Sequence, residues 1–177
     1  MPLRLSEFQP DTRAIGAGVI VDQGGWEQTL ENNKQAFMNA FVGRPRFTTA
    51  YPTTMSPSEF VNQLYVNAGV TPSDDDRQAA IDEFASAGSS ADTSARTRVL
   101  RRVAENATLA QQEFNSAFVL MQYFGYLRRD PNTGPDTNFD GYNFWLTKLD
   151  RFNGNFRQAE MVKAFLVAEE YRARFPH

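Results

Sequence analysis

Apolar residues recur at three- and four-residue spacing along nearly the whole of this 177-residue chain, and proline or glycine interrupts the pattern at intervals. One-sided spacing of that kind predicts amphipathic helices separated by turns. In "GWEQTLENNKQAFMNAFVGRPRF" the residues Trp26, Leu30, Phe37 and Phe41 share a face, and Gly43 and Pro45 end the helix. "SPSEFVNQLYVNAG" opens on Ser56 as a cap with Pro57 in the first turn, and Phe60, Leu64 and Tyr65 line one side. "TPSDDDRQAAIDEFASAG" repeats the design, with Thr71 as cap, Pro72 opening the helix, and Ile81 and Phe84 facing inward. After a break at "SSAD", "TSARTRVLRRVAEN" carries Val99, Leu100 and Val103. The longest predicted helix is "ATLAQQEFNSAFVLMQYFGYLRR". Phe114, Phe118, Met121 and Gly125 form one stripe of it, and Leu120, Phe124 and Leu127 a second, which places this helix at the centre with Gly125 at a close crossing. "GYNFWLTKLDRF" groups Trp145, Leu149 and Phe152, and the last helix pairs Met161 with Phe165 and Val162 with Leu166. Only "AGVIV" reads as a strand, and one strand makes no sheet. The prediction is an all-α, compact multi-helix fold.

Composition narrows the function classes. The length suits one domain or two small ones, and 41% apolar residues suffice for a buried core. Fifteen phenylalanines beside two tryptophans read first as that core. The absence of cysteine removes disulfides, thiolate nucleophiles and cysteine zinc sites together. A net charge of -3 without a concentrated basic surface argues against nucleic acid as partner. No apolar run reaches the roughly 20 residues of a membrane span, and the N-terminal residues lack the basic and apolar regions of a signal peptide.

The chain also resembles itself. "KQAFMNAFVGRPRFTTAYP" (34–52) aligns without a gap with "QAEMVKAFLVAEEYRARFP" (158–176). Ala40 falls on Ala164, Phe41 on Phe165, Phe47 on Tyr171, Tyr51 on Phe175 and Pro52 on Pro176. A looser match relates "EFVNQLYVNAGVTP" to "SAFVLMQYFGYLRRDP". The expected organisation is a duplicated helix-turn-helix unit within 1–177, as a single all-α domain or a piece of a longer helical array.

The last third, with its aromatic helix, Arg129-Asp130-Pro131 turn, Gly141, Trp145 and a tail of Phe165, Leu166, Glu170, Tyr171 and Phe175, resembles a bacterial domain of unknown function, family 4214. The match is best over 114–176. Asn138 stands where the family has Asp, and "NTGPDTNFD" is a longer loop than the family's. The tail is distantly similar to phycobilisome linker domains. The resemblance implies an all-α fold and a setting in large exported or cell-surface proteins, and it implies no activity.

The loop "DPNTGPDTNFDG" is the main candidate site. Asp136, Asn138 and Asp140 alternate ahead of Gly141, as in the first half of a helix-loop-helix calcium site, and Asp130 and Asn132 offer further oxygens upstream. Thr147 stands where that site needs a bidentate glutamate, so any affinity should be weak. The competing reading is a capped turn, with Asn138 or Asp140 at the helix start and Gly134-Pro135 setting the bend. Asp74 to Asp76 suit the positive end of a helix dipole. Arg96, Arg98, Arg101 and Arg102 form a basic stretch that could meet an acidic protein surface or an anionic glycan, or simply line a solvated face. Asn106 opens an Asn-Ala-Thr sequon, and His177, the sole histidine, is the final residue. No catalytic set can be assembled. The expectation is a non-catalytic structural or protein-interaction module of a larger exported or surface protein, with its specificity on loops. The alternatives are a weak calcium module and a linker-like assembly protein, and a sequence pI near 5.2 disfavours the linker, whose acidic partners call for a basic chain.

Overall fold

The computed structural model describes residues 3–175, and among these the chain is helical without a strand, so the all-α prediction holds. The helices are α1 (Leu5–Gly16), α2 (Trp26–Phe41), α3 (Pro45–Ala50), α4 (Pro57–Ala68), α5 (Asp74–Asp82), α6 (Thr93–Ala104), α7 (Ala107–Gln122), α8 (Asp140–Arg151), α9 (Met161–Val167) and α10 (Glu169–Arg172). A π-turn, Tyr123–Leu127, extends α7. The chain forms two compact bodies, residues 10–110 and residues 1–9 with 111–177, and α1 and α7 each contribute to both.

The body of residues 10–110 is built on α4. Ser56 and Glu59 form a reciprocal capping box at its start, and Gly69, with φ 65°, ends it in the left-handed conformation. Its predicted face, Phe60, Leu64 and Tyr65, is buried together with Val61. Aromatic rings then form a continuous train. Phe41 and Phe47 lie 5.7 Å apart, Phe47 and Tyr51 4.6 Å, Tyr51 and Phe60 5.6 Å, and Phe60 and Phe84 5.6 Å, all within edge-to-face or tilted packing range. The guanidinium of Arg96, on α6, lies 4.5 Å from the Phe60 ring centre and 5.6 Å from that of Phe47. Its Nη1 donates to the Ser90 carbonyl at 3.0 Å, and its Nη2 donates to the Tyr51 carbonyl. Arg96 is buried and has no carboxylate partner among the described residues, and burial lowers its pKa from the usual arginine value.

The other body packs Val119, Tyr123, Phe124, Tyr142, Leu149, Met161 and Phe165 into one core. Phe8 of α1 packs on Phe124 with ring centres 5.1 Å apart and planes tilted by 41°. Met161 and Phe165 are both buried, as their spacing predicts.

Several expectations fall to local geometry. "AGVIV" forms no strand: Gln23 N–H closes a turn onto the Ile20 carbonyl at 3.1 Å, and glycines on either side favour bends over a ladder. Ser73, not Thr71, caps α5. Its Oγ accepts the Asp76 N–H at 3.1 Å, which leaves Pro72 outside the helix and Asp74 to Asp76 in its first turn. The predicted stripe on α7 is out of phase: Phe114 is 61% exposed and Met121 is also exposed, while Val119 and Gln122 face inward. The inward face of α7 instead follows Val119, Gln122 and Tyr123 at i, i+3 and i+4, and the wider π-turn beyond it brings Phe124 into the core beside Tyr123. Gly125 lies within that turn, and a Cβ there would meet nothing within 4 Å, so it marks no close crossing. Phe152 and Leu166, predicted to be interior, are exposed.

The two internally similar segments can be placed side by side. α3 starts at Pro45 and α10 at Glu169, which is the sequence offset of 124 (169 − 45). The residues just before them, Arg44 (φ -63°, ψ 140°) and Ala168 (φ -57°, ψ 135°), have nearly the same backbone. Phe47–Tyr51 and Tyr171–Phe175 also pair alike, at 4.6 and 5.1 Å. The preceding helices differ, with 16 residues in α2 and 7 in α9. Pro176 lies outside the described residues.

Candidate functional site

The loop between the π-turn and α8 is organised around a cation, and that cation is Arg129. Arg128 takes φ 59° and ends the π-turn in the left-handed conformation. Arg129 follows and turns its guanidinium into the loop. Nε donates to Glu170 Oε1 at 2.8 Å. Nη1 donates to the carbonyls of Asp130, Pro131 and Thr133 at 3.1, 3.4 and 2.7 Å. Nη2 donates to Asp136 Oδ2 at 2.7 Å and Glu170 Oε2 at 3.1 Å. All three nitrogens are engaged. The group also stands 5.3 Å from the Tyr123 ring centre. Burial by itself would lower the pKa of Arg129, but Glu170 and Asp136 outweigh it and hold the value above the ordinary one. Burial, reinforced by the charge of Asp136, pushes the Tyr123 hydroxyl up to about 12.

Of the five residues expected to ligate calcium, Asp130, Asp136, Asn138 and Asp140 have side-chain oxygens engaged separately. Asp130 Oδ1 accepts the Leu5 N–H at 2.6 Å, and its Oδ2 lies 3.8 Å from Arg4. Asp136 belongs to Arg129. Asn138 Oδ1 accepts the Asp140 N–H at 2.9 Å, and Asn138 Nδ2 donates to Asp140 Oδ2 at 2.8 Å, so Asn138 tethers the first residue of α8. Asn132 Oδ1 is buried without a donor. Among the described residues no three His, Cys, Asp or Glu side chains converge as a metal would require. A loop already ordered by its own guanidinium leaves calcium little folding energy to contribute. The melting temperature is therefore expected to stay within about 1 °C in millimolar calcium; a rise of several degrees would return the loop to the calcium reading.

Gly141 has a role that its place in the sequence pattern did not suggest. It lies inside α8, and a Cβ there would sit 2.7 Å from the Tyr123 hydroxyl oxygen, on a ring that is itself buried. Gly141→Ala should gain about 1 kcal/mol of helix propensity. It should lose more, about 1–3 kcal/mol, to overpacking. Net destabilisation in urea denaturation is the expected sign, and net stabilisation would show that Tyr123 yields freely. Gly134, with φ 77°, sets the bend as predicted.

Beyond the loop, α8 is amphipathic inward and again outward. Tyr142 and Leu149 are buried, and Trp145 and Leu146 pack partly on the same core. On the opposite side Asp140, Asn143, Phe144, Thr147, Lys148, Arg151 and Phe152 line an open groove of about 690 Å³. Phe144 is 58% exposed and meets Trp145 edge-on at 5.1 Å. Lys148 Nζ stands 5.2 Å from the Trp145 ring centre. Phe144, Lys148 and Phe152 follow one another at i, i+4 and i+8. Among the described residues neither Lys148 nor Arg151 has a carboxylate within ion-pair distance. Sequence reading grouped Phe152 with Trp145 and Leu149 and gave Phe144, Lys148 and Arg151 no separate role; for Phe144 the signal available was that it falls off the face set by Tyr142, Trp145 and Leu149.

The basic stretch on α6 is occupied internally. Arg98 and Arg102 both pair with Glu83, at 2.5 and 3.5 Å, and Arg101 pairs with Glu31 and Glu105. Asn106 Oδ1 accepts the Thr108 and Leu109 N–H groups at 3.0 and 3.2 Å, as a cap of α7. His177 lies outside the described residues. No described helix is long and apolar enough to cross a membrane. Comparison with protein-family models, curated proteins and solved structures gives no match.

Proposed function

We propose that this chain is a non-catalytic protein-interaction module, made from a duplicated helical unit, and that the outward face of α8 is its recognition surface. The setting that fits the resemblance to family 4214 is a larger exported or cell-surface bacterial protein. The observation that carries the reading is the grouping of two exposed phenylalanines, Phe144 and Phe152, with Lys148 and Arg151, which have no carboxylate partner among the described residues, along α8 and its C-cap. Exposed aromatic patches rimmed by charge mark sites of association. The helix, rather than the loops, then holds the specificity, and the Arg129 clasp fixes the point at which α8 begins. The chemistry of such a face suits segments that combine apolar and acidic side chains. An anionic glycan has less to recommend it, because the α6 arginines already have partners within the chain. A calcium module would have to compete with Arg129 for the same oxygens.

Selection from a random-peptide display library tests the proposal. Peptides that join aromatic or aliphatic residues to Asp or Glu are expected. Binding should weaken as salt rises, be lost with Phe144→Ser and fall about tenfold with Arg151→Glu. A library that yields no peptide sensitive to these substitutions would remove the α8 face as the recognition surface.

A further inference from the structure

The turn at Ile20–Gln23 is an unusual surface element. Gln23 N–H bonds to the Ile20 carbonyl, which puts Val21 and Asp22 at the tip. Ile20 is 61% exposed and Val21 64% exposed, and both are β-branched, adjacent and flanked by glycine-rich chain that offers them no cover. Asp22 has φ 68°, a conformation that glycine takes freely and aspartate does not. Among the described residues Asp22 has no ion-pair or hydrogen-bond partner. The turn is thus a projecting apolar knob that carries one free carboxylate.

We infer that the Ile20–Asp22 turn of a second copy of this chain docks into the α8 groove. The inference rests on the reading of α8 as a recognition face and names its partner. Two features match. Both surfaces are apolar at the centre, Ile20 and Val21 against Phe144 and Phe152. The Asp22 carboxylate meets a site with two cations that have no carboxylate partner among the described residues, Arg151 and Lys148 (whose ammonium lies over the Trp145 ring), while Asp140 at the same site already accepts from Asn138. The contact joins two different surfaces, so it is heterologous: it continues from copy to copy, as a ring where the rotation closes and as an open filament where it does not. A patch this small gives a weak encounter that becomes useful where copies are held close together.

Sedimentation of the full chain from about 10 µM to about 1 mM tests this. The weight-average mass is expected to rise above 20.0 kDa with concentration and to rise less at high salt. Val21→Ser and Phe144→Ser each alter an exposed residue and should hold the chain at monomer mass with an unchanged circular dichroism spectrum. Asp22→Lys should do the same, as should Lys148→Glu with Arg151→Glu. Uniting all three charge reversals in one chain should restore association. Asp22→Gly eases the turn while it removes the charge, and it should weaken association about tenfold. A wild-type chain that stays monomeric throughout, or one that associates regardless of these substitutions, overturns the inference. If that chain still selects peptides through α8, the recognition face stands and only its partner is wrong. If it selects none, both readings fall.

Discussion

Arg129→Ala is expected to destabilise the body of residues 1–9 and 111–177 by about 2–3 kcal/mol, less than the full cost of breaking a buried ion pair because Asp136 and Glu170 are partly exposed. The side chain is 12% exposed and holds three loop carbonyls and two carboxylates at once. Its loss leaves Asp136 and Glu170 close to each other with no cation between them. Arg129→Lys keeps the charge but cannot fork toward Glu170, Asp136 and the carbonyls together, so it should recover less than half of the stability. Hydrogen exchange read by mass spectrometry locates the effect. Protection should fall over 129–140 and over α9 and α10, which Glu170 ties to the loop, and should stay unchanged over α4 to α6. An unaltered loop in Arg129→Ala would show that Gly134, Pro135 and Asn138 shape it unaided.

Arg96→Ala should cost the other body about 4 kcal/mol, because it opens a cavity among Phe47 and Phe60 and strips donors from two buried carbonyls. Arg96→Met separates these contributions. It fills most of the volume and removes the desolvated charge but leaves the Ser90 and Tyr51 carbonyls unpaired, so a cost of about 2 kcal/mol is expected. The readout is equilibrium unfolding by urea, with exchange over 45–51 and 86–96 to confirm the location. A methionine variant as stable as the wild type would mean that the carbonyls find other donors.

Much of the fold was legible because helix starts and faces are written locally. Ser56, Pro57 and Glu59 specify the α4 start almost without reference to the rest of the chain, and Phe60, Leu64 and Tyr65 specify its face. The errors lie where the choice of face was wrong. A stripe laid through Phe114, Phe118, Met121 and Gly125 put Phe114 and Met121 inside, whereas the buried face of α7 runs through Val119 and Gln122 and continues to Tyr123. The candidate loop was legible as a cluster of oxygens in need of a cation. The cation was not legible, because Arg129 reaches Asp136 seven residues away and Glu170 forty-one residues away, and no local spacing encodes the second. The α8 groove was hidden for a different reason: Phe144 and Phe152 read as core by residue type, and only tertiary packing decides which side of a doubly amphipathic helix is covered.

Two arginines anchor the two bodies, and their environments differ in one respect with an experimental signature. Arg129 is balanced by carboxylates, which mobile ions can screen to the extent that Asp136 and Glu170 meet solvent. Arg96 is balanced by neutral carbonyl dipoles and the faces of phenylalanine rings, which present no opposing charge to an electrolyte. Brine should therefore loosen the Arg129 clasp and leave the Arg96 clasp as it was, so any salt response of the body of residues 10–110 falls to its exposed pairs, those of Arg98 and Arg102 with Glu83 and of Arg101 with Glu31 and Glu105, rather than to its buried arginine.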